Sequence, residues 1–475
     1  MPYQLLVVGG GTAGLVVAAI ASALGARTAL IERGLMGGDC LNFGCVPSKA
    51  LLAAARGWHQ ARRVAERFSG PTIQASGDFV GAMERMRRLR AEISVHDSPA
   101  RFRDLGVDVY LGEAVFSGAR SVVVDGTSLQ FGRAVIATGT RPFIPRVPGI
   151  DTVGYLTNAT IFSLSALPRR LVIVGGGPIG VELGQAFSRF GAQVTILEAA
   201  DRILANDDPD AAEVVASALR GEGVSILCGA SLSSVAVTPG GKTIAYRRDG
   251  ADSSLEVDEI LLACGRAPNV DELGLEAAGV TYDRRQGVLA DERLRTTNPR
   301  IFAAGDVVGP LRFTHLADAH ARIVVRNALF HGRAKASDLV VPWCTYTSPE
   351  LAHVGLPFSE IERRTDDLDS ITVPYADVDR ARLEDETAGF LRIHLRRGGD
   401  RIEAATLVGA NAGELVSHLT GAMQSKKGIG ALGDSIYPYP TMAEIIRKAA
   451  DSWRRTKLKP SVKRALGVYF RTIGR

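Results

Sequence analysis

Cys40 and Cys45 are the residues whose type and spacing best suit redox chemistry. Two thiols five positions apart can close a disulfide if the chain between them bends, and Gly44 helps it bend. Pro47 suits the first turn of a helix. That puts Cys45 at a helix start, where the dipole stabilises a thiolate and makes the sulfur reactive. Lys49, one turn on, adds positive charge. A metal site is one rival reading, but it would want further Cys or His close by, and none follows in sequence, so no metal ligands are assigned. Two unrelated buried cysteines are the other. Cys228, Cys264 and Cys344 lie in apolar surroundings and read as small buried hydrophobes.

The elements around this pair are organised by an internal repeat. Gly9-x-Gly11-x-x-Gly14 recurs as Gly175-x-Gly177-x-x-Gly180. Each copy follows a short apolar strand, opens a helix, and is followed by a second strand ending in an acid, Glu32 or Glu198, eighteen positions after the last glycine. One such motif is weak; its full context, present twice, points to two dinucleotide sites. The first glycine permits the tight turn, the second lets the backbone approach a pyrophosphate, and the third lets helix and strand pack closely. The helix N-terminus offers free N–H groups to the phosphates. Glu32 and Glu198 would each accept hydrogen bonds from a ribose diol.

Between and after the repeats, the patterning predicts a largely helical stretch over 56–104, broken near Gly70-Pro71, and short strands over 107–124 and 133–138. Later strands are expected at 260–263 and 301–304, with a helix through 315–330. Proline and polar residues near 338–348 mark a boundary. Beyond it, strands at 371–374, 389–395 and 402–408 alternate with helices at 411–424 and 441–455, a mixed α+β pattern.

The motifs together resemble the pyridine nucleotide–disulfide oxidoreductases, among them lipoamide dehydrogenase, glutathione reductase and mercuric reductase. The residues carrying the resemblance are GGDCLNFGCVPSK at 37–49, ATG at 137–139, GGGPIGVELG at 175–184, GR at 265–266, AAGD at 303–306 and TSPELAHVGL at 347–356. The resemblance implies an α/β fold with two Rossmann-like dinucleotide-binding domains and a C-terminal α+β dimerisation domain. It divides the chain into an FAD-binding domain at 1–150 and 269–340, an NAD(P)H-binding domain at 151–268, and an interface domain at 341–475. It implies FAD, held with help from Thr138, Gly139, Gly265, Arg266, Gly305 and Asp306, the last beside the ribityl–phosphate region. Cys45 would be the thiol that contacts the flavin, and Cys40 the interchange thiol that meets the acceptor. Lys49 and Glu182 would form an ion pair beside flavin and nicotinamide. A homodimer is implied, each interface domain completing its partner's active site. At the second site a 2′-phosphate would repel Glu198, so NADH is expected over NADPH, with Arg202 near enough in sequence to compete.

One departure bears on the acceptor. Lipoamide dehydrogenase and glutathione reductase carry a catalytic His five positions before a Glu; here Tyr439 stands at that place and Glu444 is retained. A phenol of ordinary pKa about 10 is a poor general base near neutrality, so rapid dithiol–disulfide turnover is not expected. His394 and His418 have no spacing that recommends them as substitutes. A tyrosine here resembles mercuric reductase, yet the vicinal cysteine pair near that enzyme's C-terminus has no counterpart after Cys344, and no N-terminal metal-binding domain is read. The expected activity is therefore mercuric-reductase-like, passing electrons from nicotinamide through FAD to the cysteine pair and on to a small-molecule or metal-ion acceptor: a soft metal ion, a small disulfide or a quinone. The alternatives are a flavoenzyme whose flavin reduces quinone or oxygen directly, the cysteines being secondary, and a redox sensor of low turnover.

Charge is uneven along the chain. The formal net charge is +5, but residues 447–475 hold ten Lys/Arg against one acid, Asp451. No nucleic-acid motif accompanies them. Trp453, Leu458, Val462, Leu466 and Phe470 recur among these charges at mostly four-residue spacing. Their apolar side is expected to pack on the protein, with weak peripheral contact to an anionic membrane as the alternative. The apolar run Leu5 to Leu24 is broken by glycines and lacks a basic leader, and no stretch reads as a membrane span. A cytoplasmic protein is expected.

Overall fold

In the computed structural model, residues 1–73 and 77–473 are described. The chain divides into two compact units, residues 1–201 with 223–339, and residues 202–222 with 340–475.

The first unit is built on parallel sheets. Strands Tyr3–Val8, Thr28–Glu32, Val107–Leu111, Thr127–Ile136 and Ile301–Ala303 form one parallel array with Tyr3–Val8 at its centre. Leu5, Leu6 and Val7 are fully buried. Their continuous apolar run is what a parallel strand covered on both faces requires. An antiparallel excursion, Ala114–Gly118 and Ser121–Val124, joins the sheet through the first half of Thr127–Ile136. A second parallel sheet has the order Ser225–Leu227, Gln193–Leu197, Arg170–Val174, Glu259–Leu262. Each sheet sends its first strand through a glycine turn into a helix, Thr12–Ala23 or Pro178–Phe190. The expected pair of Rossmann-like sheets is therefore present.

The repeat is a repeat of atomic detail. Gly9 and Gly175 have φ of +110° and +115°, a region that L side chains avoid. A methyl group on either would strike the carbonyl of Ala137 or Ala263 at the end of the neighbouring strand. One on Gly14 or Gly180 would strike the carbonyl of Gly9 or Gly175. The acids match as well. Glu32 accepts from Gly10 N–H at 2.6 Å and Gly34 N–H at 2.7 Å; Glu198 accepts from Gly176 N–H at 2.6 Å and Ala200 N–H at 2.7 Å. Each carboxylate thus staples the second strand to the glycine turn, a structural duty the sequence pattern does not disclose.

The helical stretch after residue 44 comprises Cys45–Arg62, Val64–Phe68, Phe79–Ser94 and Pro99–Asp104. Three antiparallel strands, Ala230–Thr238, Gly241–Arg248 and Ala251–Val257, form a sheet that the sequence reading omitted.

The second unit is a five-stranded antiparallel sheet in the order Pro342–Thr345, Glu350–Gly355, Ile402–Gly409, Phe390–Arg396, Leu368–Pro374. Helices Ala412–Gln424 and Glu444–Thr456 pack on it, and Ala352 and Val354 enter their shared core. His353, on the opposite face of the same strand, stacks on Trp343 at 4.4 Å. Helix Pro209–Gly221 belongs to this unit, although its sequence lies within 151–268. Asp208, fully buried, caps it by accepting from Asp210 N–H at 2.9 Å, and pairs with Arg392 at 2.7 Å.

The basic stretch behaves otherwise than expected. Trp453 packs on the core, its indole N–H donating to Gly399 O at 3.0 Å. From Leu458 onward the apolar side does not pack on the protein: helix Pro460–Ile473 has no buried residue. The segment Lys457-Leu458-Lys459 separates it from helix Glu444–Thr456, and its apolar residues Val462, Leu466, Tyr469 and Phe470 are all exposed. No described helix is long and apolar enough to cross a membrane.

Candidate active site

Two local features build the thiol site. Gly37 and Gly38 turn the chain with positive φ into the short helix Gly38–Asn42, which carries Cys40. Gly44 then breaks that helix, and Cys45 opens the next one, Cys45–Arg62. Asn42 holds the turn by donating to Gly38 O at 2.9 Å and Met36 O at 3.1 Å. The helix start expected from Pro47 is where the sequence places it.

The two sulfurs, in the dithiol state, share a hydrogen bond. That bond is the main reason the Cys45 thiol falls to about 6; the Thr314 hydroxyl, 3.2 Å away, and the Lys49 charge lower it further against the opposing effect of burial. Cys40 is pushed far upward, first by the same bond and then by burial. The pair therefore titrates as a unit that shares one proton near neutrality, with Cys45, beside Lys49 and Thr314, the sulfur favoured as thiolate. Thr314 begins helix Thr314–Phe330 and reaches both sulfurs. It was not legible in sequence, lying 269 positions from Cys45; its only signal is a helix start soon after the AAGD segment.

Lys49 and Glu182 meet, Nζ to Oε2 at 2.7 Å, joining the thiol helix to the helix of the second glycine motif. Glu182 is buried.

A polar chain runs from the thiol loop to Asp306. Asn158 donates to Asp39 Oδ1 at 2.9 Å, and Arg266 pairs with the same oxygen at 3.3 Å. Arg266 also donates to Thr140 Oγ1 at 2.7 Å, whose hydroxyl donates to Asp306 Oδ2 at 3.3 Å. Burial pushes the Asp306 carboxyl upward. Thr138 and Gly139 are latched to the segment after Arg266: Thr138 Oγ1 donates to Asn269 O at 2.7 Å, and Asn269 N–H donates to Gly139 O at 2.9 Å. Gly265 and Gly305 both take positive φ, and Gly305 wedges between Ala13 and Ala317. Asp39, Thr140, Asn158 and Asn269 were missed because each acts through partners more than a hundred positions away.

These residues fit two dinucleotides. At Gly177 φ is an ordinary −75°, and a Cβ would meet no protein atom within 4 Å. Neither backbone strain nor packing calls for glycine there, whereas a phosphate resting against the backbone does. Asp306, a half-buried carboxyl that accepts from the Thr140 hydroxyl near the charges of Arg266 and Arg312, suits a polyhydroxyl chain. Arg202 is engaged in its own loop, donating to Ala205 O at 2.8 Å.

Tyr439 and Glu444 lie in the second unit. Tyr439 is 71% exposed. Its hydroxyl donates to Asp379 at 3.2 Å, and that bond raises its pKa above the ordinary phenol value. Glu444 opens helix Glu444–Thr456 and faces Lys448 at 3.5 Å, with its Oε2 buried and unpartnered. Both line a groove of about 650 Å³ together with Tyr437, Arg447 and Lys448. His394 is buried on Ser370 and its pKa is lowered by burial; His418 lies against Tyr437. Cys228, Cys264 and Cys344 are half-buried, not fully buried as expected, because each sits at the end or edge of a strand. Among the described residues no group of three or more Cys, His, Asp or Glu is arranged to hold a metal.

Comparison with known proteins accords with this geometry. Residues 3–322 match the pyridine nucleotide-disulphide oxidoreductase model, and residues 341–450 match that family's dimerisation domain. The mercuric reductase of Staphylococcus aureus is 33% identical, over 94% of this chain and 82% of its own length. The dihydrolipoyl dehydrogenase of Geobacillus stearothermophilus is 32% identical, over 94% of this chain and 95% of its own. Among solved structures, the Cu(II) complex of the HOCl-induced flavoprotein disulfide reductase RclA from Escherichia coli superposes with a TM-score of 0.83. It is 30% identical and covers 94% of this chain and 99% of the other. The chain belongs to the pyridine nucleotide-disulphide oxidoreductases, flavoproteins that bind FAD and use NAD(P)H.

Proposed function

We propose that this chain uses NADH to reduce an acceptor at the Cys40–Cys45 pair, and that the acceptor is a thiol-reactive metal ion, Hg(II) or Cu(II). The observation that carries the reading is the paired thiol and thiolate at the start of helix Cys45–Arg62, with Cys45 brought down to about 6.

Two electrons break the Cys40–Cys45 bond, leaving Cys45 as the thiolate while Cys40 takes up one proton. The bound flavin and nicotinamide supply the hydride and electron transfer that side chains cannot. Lys49 holds positive charge one turn from the Cys45 thiolate, and Glu182 holds Lys49 in place. The Thr314 hydroxyl donates to the Cys45 sulfur. With Cu(II), two metal ions each take one electron, the S–S bond re-forms, and the Cys40 proton is released. Hg(II) would be ligated by both sulfurs with loss of the same proton, and the two electrons of the sulfur pair would reduce it to Hg(0) as the S–S bond re-forms. Thiolates prefer soft ions such as Hg(II) and the Cu(I) that forms, and metal binding itself displaces the proton. No general base is needed, which suits a groove where Tyr439, its pKa raised by Asp379, stands in place of an imidazole.

The NADH preference rests on Glu198, a carboxylate at the second strand's end that disfavours a 2′-phosphate, and on Arg202 being engaged elsewhere. Two copies are proposed to pair through the interface domain at residues 341–450, the segment that carries the dimerisation match.

The test is steady-state NADH and NADPH oxidation against lipoamide, glutathione disulfide, Hg(II), Cu(II) and quinones. Metal-dependent turnover with NADH, well above either disulfide, is expected. Fast lipoamide turnover would contradict the role given to Tyr439, and quinone turnover alone would favour direct reduction by the flavin.

A further inference from the structure

We infer that helix Pro460–Ile473 is a docking element for an anionic lipid surface, an association separate from the redox site. Val462, Leu466, Tyr469 and Ile473 follow one another at i, i+4, i+7 and i+11 and so form one stripe, with Phe470 beside it. All five are exposed; the least so, Leu466, is still 38% accessible. The preceding helix contrasts with it: Ile445, Ile446, Ala449 and Ala450 of Glu444–Thr456 are buried. Just before helix Pro460–Ile473, Lys457 is held to the body: its Nζ donates to Gly398 O at 3.1 Å and lies over the Trp453 ring.

Charge decides what covers the stripe. No acidic residue occurs from Ser452 to Arg475, while Lys459, Lys463, Arg464 and Arg471 surround or oppose the apolar side. A second copy of the helix laid on the stripe would bring the flanking Lys459 and Lys463 against cations of its partner, with no acidic residue on the helix to pair them, an arrangement that opposes pairing. An anionic bilayer meets both needs: the stripe and its aromatic rings enter the headgroup boundary, and the lysine stems reach up to the phosphates. Each Lys or Arg near such a surface is worth about a fivefold gain in partitioning.

The test is flotation of the FAD-loaded full chain with vesicles of phosphatidylcholine alone or mixed equally with phosphatidylglycerol. Binding to the anionic vesicles is expected to exceed binding to neutral ones by about tenfold or more and to fall in high salt. Leu466→Glu with Tyr469→Glu, or separately Lys463→Glu with Arg471→Glu, is expected to abolish flotation while NADH-driven ferricyanide reduction is unchanged. Flotation of either variant equal to the parent's would overturn the proposal, as would a full chain that stays unbound. Loss of the oligomeric state in the Leu466/Tyr469 variant would also overturn it, by assigning the stripe to a second copy.

Discussion

The chemistry at residue scale lies in how one proton is shared between two sulfurs. The hydrogen bond from Cys40 does most to hold Cys45 at about 6, with Thr314 and Lys49 assisting. Below that value Cys45 is protonated and unreactive; above it the thiolate persists. Alkylation of the reduced protein by iodoacetamide should therefore rise through a midpoint near 6. Cys40→Ala should move the midpoint toward the ordinary thiol value of about 8.5, and Thr314→Val should move it in the same direction by less. A midpoint unchanged in Cys40→Ala would refute the shared-proton arrangement. Cys40, Cys45, Pro47 and Lys49 were legible in sequence because their relation is local. Thr314 was not, because a hydroxyl at a helix start has no signature until the chain has folded.

At the scale of elements, glycines of one motif have different reasons to be there. Gly180 packs on the Gly175 carbonyl, whereas Gly177 faces open space. Gly180→Ala should lower the melting temperature, as a steric clash between helix and strand must. Gly177→Ala should leave stability within about 0.5 kcal/mol and raise the KM for NADH. Equal effects on melting temperature in the two variants would contradict this division. The twin motifs were readable because helix, turn and strand each impose a local rule. The sheet over 230–257 was not: strand Ala251–Val257 is largely exposed, and its Asp-Ser-Ser-Leu-Glu run lacks a clean apolar alternation. Nor could sequence assign helix Pro209–Gly221 to the second unit, since its anchor, Asp208 to Arg392, spans 184 positions. Breaking that pair by Arg392→Leu leaves the buried Asp208 carboxylate without its counter-ion. A destabilisation of about 3 kcal/mol is expected, read as an earlier denaturant midpoint; an unchanged midpoint would show that the helix is held by its apolar contacts alone.

At the scale of the whole molecule, acceptor choice depends on what the second unit presents. Tyr439 and Glu444 were picked out by their distance from a pattern, and the structure gives the tyrosine a partner, Asp379, that makes it a still poorer base. Restoring an imidazole should therefore widen the acceptor range. Tyr439→His should raise lipoamide turnover at neutral pH by about a hundredfold, the low end of general-base contributions, with metal-ion turnover little changed. No gain in lipoamide turnover would show that other residues set specificity. All such roles presuppose that electrons leave through the sulfur pair, and counting electrons tests that most directly. In an anaerobic reductive titration of the FAD-loaded protein, about four electrons per chain are expected, two for the flavin and two for the Cys40–Cys45 bond; about two are expected for Cys45→Ser. An equal uptake of about two in both proteins would contradict any part for the cysteines in carrying electrons.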